Sequence, residues 1–166
     1  MPPKPKVVAV DTNILLDIAV PKDAATDAVD LMREHMPGCA FIVLPTVILE
    51  LRYLSIKGDA EVRMLATRAL HQMRAWGFQP VNYIPAGHAI TERIADKMRA
   101  QGLLPEEERN DSFIVAEAAL ALCEMIISSD HHMLEIPKAK LHALLDAHDV
   151  GCLEIVSPSD MLKKFS

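Results

Sequence analysis

The chain has 166 residues, 51% of them hydrophobic, enough for one folded domain with a sizeable core. Its longest apolar run, residues 40–49, contains Pro45 and stops at Glu50, well short of the roughly 20 residues that a membrane span needs. The formal charge of −6 speaks against a generic nucleic-acid-binding surface, although neutralising four clustered acids would leave only −2 on the rest.

Residues 1–6 carry two lysines and three prolines and are expected to trail in solvent as a disordered tail. No charged-then-apolar leader follows, so a cytoplasmic protein is expected. Val7-Val8-Ala9-Val10 is a β-branched apolar run that stops abruptly at Asp11-Thr12-Asn13. It reads as a buried strand that delivers one carboxylate to its carboxyl end, the edge where open parallel sheets bind ligands. Asn13 starts a short helix through Leu16 and Ile18, stopped near Pro21. A second helix spans 23–35, with Ala24, Ala28, Leu31 and Met32 at helical spacing and Pro37-Gly38 as its stop.

Residues 40–44 form the next strand, and Pro45 suits the first turn of the helix behind it, where no amide donor is needed. That helix, 46 to about 56, puts Val47, Leu51 and Leu54 on one face, with Glu50 about one turn inside it. Gly58-Asp59 breaks it, and 61–76 follows as an amphipathic helix facing inward through Val62, Leu65, Ala69, Leu70 and Met73. A short strand is expected over 78–84 and a helix over 87–100, with Ile90, Ile94 and Met98 four apart. The polar stretch 101–110, with three consecutive glutamates, reads as a solvated loop.

Asn110 then serves as a cap, and Asp111 falls in the first turn of a helix running to Cys123. Its core face comprises Ile114, Val115, Ala118, Ala119 and Leu122, and Asp111 shares that face by its spacing of three and four from Ile114 and Val115. Residues 125–128 are a buried strand that ends at Ser129-Asp130 as the first ends at Asp11. A helix over 141–147, a strand over 153–156 and a terminal helix over 159–164 capped by Ser157-Pro158 complete the chain. Strands alternating with helices imply a parallel, helix-covered sheet in a single domain spanning 1–166.

Four acids stand at strand ends or helix starts: Asp11, Glu50, Asp111 and Asp130. Clustered carboxylates raise one another's pKa, and a hard divalent ion with oxygen ligands relieves that conflict. Mg²⁺ or Mn²⁺ held this way is the equipment for phosphodiester hydrolysis, with one ion or with two about 3.5–4 Å apart. Thr12, Asn13 and Ser128 adjoin these acids and join the candidate cofactor-binding set, Thr12 and Ser128 by hydrogen-bonding a ligand carboxylate or its water. Each acid also has a plainer role available: Asp11 as a turn or cap residue, Glu50 on an exposed helix face, Asp111 as a complement to the helix dipole, Asp130 in a loop.

Val-Asp-Thr-Asn at 10–13, Pro-Thr-Val-Ile-Leu-Glu at 45–50, Asn-Asp-Ser-Phe-Ile-Val-Ala-Glu-Ala-Ala at 110–119 and Ile-Ile-Ser-Ser-Asp-His-His-Met-Leu at 126–134 resemble the successive motifs of PIN-domain nucleases. The resemblance implies an α/β fold, a three-layer α/β/α PIN-like domain with a central parallel sheet of about five strands. It also implies a metal-dependent endonuclease site, most often acting on RNA. Asp11, Glu50 and Asp111 match the family's acidic core, Asp130 its more variable fourth acid, and Ser128 a position where serine or threonine is usual. The length resembles the VapC-like toxins of toxin-antitoxin pairs, implying a cognate antitoxin and a homodimer; solitary ribonucleases share the domain.

Other residues receive plainer assignments. Cys39, Cys123 and Cys152 are odd in number and widely spaced, and read as buried thiols. His131-His132 lacks a third ligand at zinc spacing and reads as surface histidine, the two rings pointing apart along an extended segment. Asp17, Glu117, Asp146 and Asp149 are placed off the inferred edge or on helix exteriors and read as solvated, while Arg52, Arg93, Lys97 and Arg109 are candidate phosphate contacts or solvated helix residues. Two other classes compete with the nuclease. One is a PIN-like binding or regulatory protein with a weak or inactive site. The other is a phosphatase or phosphoacceptor protein on a similar sheet, disfavoured because Asn13 stands where Asp-x-Asp needs its second acid.

Overall fold

Strand β1 (Val7–Val10) lies at the centre of the sheet in the computed structural model, which describes residues 6–20, 24–82 and 85–165. Val8, Ala9 and Val10 are buried on both faces, as a continuous apolar run in a covered parallel sheet must be. β2 (Ala40–Val43), β3 (Phe78–Pro80), β4 (Met125–Ile127) and β5 (Glu154–Val156) complete a five-stranded sheet of order β3-β2-β1-β4-β5. Every pairing is parallel, with Ala9 opposite Ile42 on one side and Ile126 on the other.

Between β1 and β2 run α1 (Thr12–Ile18) and α2 (Ala24–His35), and between β2 and β3 run α3 (Pro45–Lys57) and α4 (Ala60–Gln72). After β3 come α5 (Pro85–Ala100) and α6 (Arg109–Leu120), after β4 come α7 (His131–Leu134) and α8 (Lys138–Ala147), and α9 (Pro158–Phe165) follows β5. The chain winds outward from β1 to β3, then returns across β1 to β4 and winds the other way. Right-handed crossovers therefore put helices on both faces of the sheet, the three-layer α/β/α arrangement expected from the sequence. The reversal falls between β1 and β4, and the crevice beyond their carboxyl ends is where such sheets bind ligands.

Helix α6 is the most deeply set, buried at every residue from Ser112 to Ala119. Its Ile114 and Val115 are fully covered, each contributing about 1.5–3 kcal/mol by burial. It packs against α5, α3 and β4 and so joins the second half of the chain to the first. In α9 the expected cap is present: the Asp160 amide donates to Ser157 Oγ at 3.1 Å, and the Ser157 amide donates to Asp160 Oδ2 at 3.2 Å.

Several expectations need correcting. In α2 the inward face is Ala25, Ala28, Val29 and Met32, one position on from the face built on Ala24 and Leu31. Helix α4 ends at Gln72, and residues 73–77 turn the chain through Gly77 at φ 88°. The strand expected over 78–84 is only Phe78–Pro80; Ile84 lies outside the described residues, as do Pro21 and all of the 1–6 tail but Lys6. Helix α6 begins at Arg109 with Glu108 in the capping position, so Asn110 is not its cap. It ends before Leu122, which turns to a left-handed φ of 61° and is 68% exposed.

The 101–110 stretch is not simply a solvated loop. Gly102 at φ 74° ends α5, the Leu103 amide donates back to Met98 O at 2.9 Å, and Leu103 and Leu104 enter the core. Of the three thiols only Cys123 is buried; Cys39 is half-buried and Cys152 exposed. His131 and His132 open a helix rather than extend, so their rings lie 4.0 Å apart. No helix among the described residues is long and apolar enough to cross a membrane.

Candidate metal centre

Asp11 follows directly on β1, and its amide donates to Ile127 O at 2.9 Å, which carries the ladder with β4 one residue past the strand. The backbone then turns into α1, so the carboxylate sits at the carboxyl edge of the sheet, 4% exposed. One oxygen accepts from the Thr12 amide at 2.7 Å and the other from Ser128 Oγ at 2.7 Å. Ser128, fully buried at the end of β4, also accepts from the Asp130 amide at 3.0 Å. One serine hydroxyl thus ties together the two strand-end acids. Asp11 and Asp130 fill their plainer roles as well, since Asp130 caps α7 by accepting from the His132 amide at 2.8 Å.

Glu50 comes from the second turn of α3 and Asp111 from the first turn of α6. Burial pushes the Glu50 carboxyl up to about 7, helped by the charges of Asp11, Glu117 and Asp130. The Thr12 hydroxyl pulls it back somewhat, although that hydroxyl stands outside hydrogen-bond geometry. Burial likewise raises Asp111 to about 8, with Asp11, Asp130 and Glu108 adding repulsion. Asp11 is also raised, by its burial first, against the lowering effect of Ser128 and Thr12. Glu50 and Asp111 both feel the charges of Asp11 and Asp130.

Four oxygens at this centre are buried with no hydrogen-bond partner: Glu50 Oε1, Asp111 Oδ2, Thr12 Oγ1 and Asn13 Oδ1. A buried acceptor without a donor costs about 1–3 kcal/mol, more when charged. Oxygen donors of this kind suit a hard cation. Among the described residues no three His, Cys, Asp or Glu side chains stand together at ligating distance. That spacing is compatible with Mg²⁺, which keeps several waters and takes only one or two carboxylates directly. The chemistry of the donor set therefore fits the expected ion.

Glu117, expected on a helix exterior, is 3% exposed. Its Oε1 accepts from the Thr46 amide at 3.0 Å and its Oε2 from Thr46 Oγ1 at 2.6 Å. Helix α3 has Leu44 at its cap position with no side-chain cap bond and Pro45 in its first turn, so a carboxylate from α6 satisfies the orphan amide and complements the dipole. The Thr46 bonds hold the acid against the full cost of burial, which still raises its pKa. Thr46 lies one turn before Glu50, so this bridge ties α6 to the amino end of the helix that carries Glu50. The available signal was a single charge inside the otherwise apolar run 113–122.

Glu108 is a second addition. It repels Asp111, and His132 Nε2 stands 3.6 Å from Glu108 Oε1. Of the candidate phosphate contacts, Arg109 and Arg52 line hollows on the two sides of α3, whereas Arg93 and Lys97 lie on exposed α5 positions that line neither. A further hollow at the amino edge of the sheet, around His142 and Cys152, is remote from the acids.

No protein-family model matches the sequence, and no curated protein matches it. In structure the chain is similar to VapBC2 from Rickettsia felis, solved bound to a DNA fragment from its promoter, with a TM-score of 0.62 and 12% identity over 91% of this chain and 98% of that one. It is also similar to FitAcB from Neisseria gonorrhoeae, at a TM-score of 0.53 and 16% identity over 92% and 98%. FitAB bound to an IR36 DNA fragment gives a TM-score of 0.53 and 16% identity over 91% and 94%. At such identities the likeness establishes the shared fold, which agrees with the PIN-like architecture that the sequence motifs imply.

Proposed function

We propose that this chain is a metal-dependent endoribonuclease, the toxin of a toxin-antitoxin pair, in which Asp11, Glu50, Asp111 and Asp130 hold Mg²⁺ or Mn²⁺. The observation that carries the reading is the set of buried, unpartnered oxygens on Glu50, Asp111, Thr12 and Asn13 beside a fixed Asp11. A bound ion of this class generates a nucleophile from water at neutral pH and offsets charge on the phosphodiester. The chain's own groups prepare for it. Ser128 and the Thr12 amide hold Asp11 in one orientation, and the Glu117–Thr46 bridge presents Glu50. Glu50 and Asp111 hold their protons near neutrality, and a bound cation would displace those protons to solvent.

The toxin assignment rests on the ordered motifs and on the likeness in fold to VapBC2 and to FitAB. It carries with it a cognate antitoxin and a homodimeric state. Purified protein incubated with single-stranded and structured RNAs tests the chemistry. Cleavage is expected with Mn²⁺ or Mg²⁺ and is lost with EDTA or in Asp11→Asn; cleavage that persists under both treatments overturns the reading.

The second reading, a PIN-like binding or regulatory protein with an inactive site, is favoured by one observation. Among the described residues no three ligating side chains close on a point. Calorimetric titration with Mn²⁺ separates the two, because an inactive site releases no heat of binding and the nuclease binds one or two ions.

A further inference from the structure

Residues 101–108 do more than connect α5 to α6. Of the three consecutive glutamates, Glu106 turns outward to pair with Arg99 at 3.3 Å and Glu107 is exposed, whereas Glu108 is only partly exposed and faces α7. Glu108 occupies the capping position of α6 but makes no side-chain cap bond. Asp111 stands at the third position of that helix, from which an acid can reach back to the cap amide. Here the Glu108 amide donates instead to Pro105 O at 3.0 Å. Neither carboxyl therefore serves the capping role that its position suggests.

Their side chains instead join a path between two acids of the centre. The Asp130 carboxylate accepts from the His132 amide at 2.8 Å, His132 Nε2 stands 3.6 Å from Glu108 Oε1, and a side-chain hydrogen bond links Glu108 to Asp111. Asp111 Oδ2 keeps no partner, so the contact with Glu108 uses the other oxygen. Asp111 is repelled by Asp130, and the two sit on elements with little shared packing: α6 lies on α5, α3 and β4, and α7 lies on β5. An exposed pair such as His132 and Glu108 adds little to stability; its importance lies in where it stands. Ser128 ties Asp130 to Asp11, and the path through His132 and Glu108 ties Asp130 to Asp111. The imidazole can present an N–H at Nε2 to a carboxylate either as the cation or as the neutral tautomer with its proton there, so the contact does not depend on the charge of the ring.

We propose that Glu108 and His132 are positioning residues of the acidic centre, a clamp from α7 to α6 that fixes Asp111 against the repulsion of Asp130 and keeps its unpartnered oxygen available to a cation. The assignment rests on the nuclease reading and deepens it, adding two residues that act on the ion through Asp111. The competing role for Glu108 is that of a direct ligand. That role makes His132 dispensable, whereas the clamp needs both side chains.

The test is calorimetric titration of Mn²⁺ into the full chain and into Glu108→Ala, His132→Ala and the double variant, all at one pH and one salt concentration. Each single substitution is expected to weaken Mn²⁺ binding about tenfold, as the loss of a residue supporting a metal ligand does. The double variant should lose no more than the weaker-binding single variant, because a clamp breaks only once. His132→Gln, whose amide nitrogen takes the place of Nε2, restores most of the affinity. Urea titration in EDTA should give closely similar midpoints for all the variants; a fall in midpoint that matches the loss of affinity assigns the effect to folding and overturns the clamp. It is overturned also if the two single losses multiply in the double variant, or if His132→Ala binds Mn²⁺ at least as tightly as the wild type. In that last case a loss confined to Glu108→Ala makes Glu108 a direct ligand. The two readings fail differently: Mn²⁺ binding that is unaltered in the variants removes the clamp alone, whereas a wild type that binds no Mn²⁺ removes the nuclease reading and the clamp with it.

Discussion

The acids at the sheet edge make the ion-free protein lose stability as pH rises, and Glu50 provides a measurable share. Its carboxyl moves from an ordinary 4.5 to about 7 on folding, chiefly through burial. Between those values the folded chain holds more protons than the unfolded one, so stability is full below about pH 4.5, falls as pH rises through 7 and then levels off. At about 1.36 kcal/mol per tenfold change in proton affinity the shift corresponds to about 3 kcal/mol. Glu50 is only partly buried, and solvent screening reduces this to about 1–2 kcal/mol. For a chain of this length that is about 2–8 °C in Tm. The assay is a melting series from pH 5 to pH 8.5 in EDTA, for the wild type and for Glu50→Gln, which cannot titrate. The wild-type curve is expected to fall more steeply by that amount, while Asp111, raised to about 8 by burial and its acidic neighbours, keeps a residual slope in both. Mn²⁺ at about a hundred times its pH 8 Kd then restores about 2.7 kcal/mol at pH 8, and the same concentration restores less at pH 6, where protons compete for the carboxylates. Superimposable slopes for wild type and variant would refute the shared electrostatic centre.

Three further substitutions follow from the same geometry. Ser128→Ala removes the hydroxyl that donates to Asp11 and accepts from the Asp130 amide; urea titration should show a loss of about 1–3 kcal/mol, with weaker Mn²⁺ binding by calorimetry. Glu117→Ala strands the Thr46 amide and hydroxyl, costing about 1–3 kcal/mol and weakening Mn²⁺ binding through a misplaced Glu50. Leu104→Ala, 1% exposed in a stretch whose composition suggests solvent, should cost about 2–5 kcal/mol in the same titration; a value near zero would mean that this stretch does not pack on the core.

Legibility in the sequence followed how far each neighbourhood depends on local pattern. A strand buried on both faces must be apolar throughout, so its first polar residue marks its end; that is why Val7–Val10 and the position of Asp11 could be read directly. The alternation of strand and helix gave the parallel sheet, but the order β3-β2-β1-β4-β5 and its reversal beside β1 are long-range facts that no local pattern encodes. Helical periodicity succeeds where a helix has an inside and an outside. Helix α6 has no outside over Ser112–Ala119, so the inference that Glu117 lies on an exterior failed. His131 and His132 went wrong through a boundary, since Asp130 caps a new helix at the next residue and turns two divergent side chains into neighbours.

The cost of assembling the centre also explains where its support lies. Asp11, Glu50 and Asp111 are each raised by burial first, Asp130 adds repulsion on all three and Asp11 on the other two, so without a cation the fold must hold them in place against a force that separates them. Asp11 is held by its own two hydrogen bonds, whereas Glu50 and Asp111 each keep an unpartnered oxygen. The restraint comes from groups that present no free oxygen to an ion. Ser128 joins β4 to Asp11, and Glu117 joins α6 to the amino end of α3. Both act between elements that the chain reversal brings together. Removing either should therefore weaken cation binding by more than its lost hydrogen bonds alone imply, and a double-mutant cycle between Glu117→Ala and Glu50→Gln, read by Mn²⁺ affinity, measures the excess as a coupling energy. A coupling of zero would show that Glu50 finds its place without the bridge.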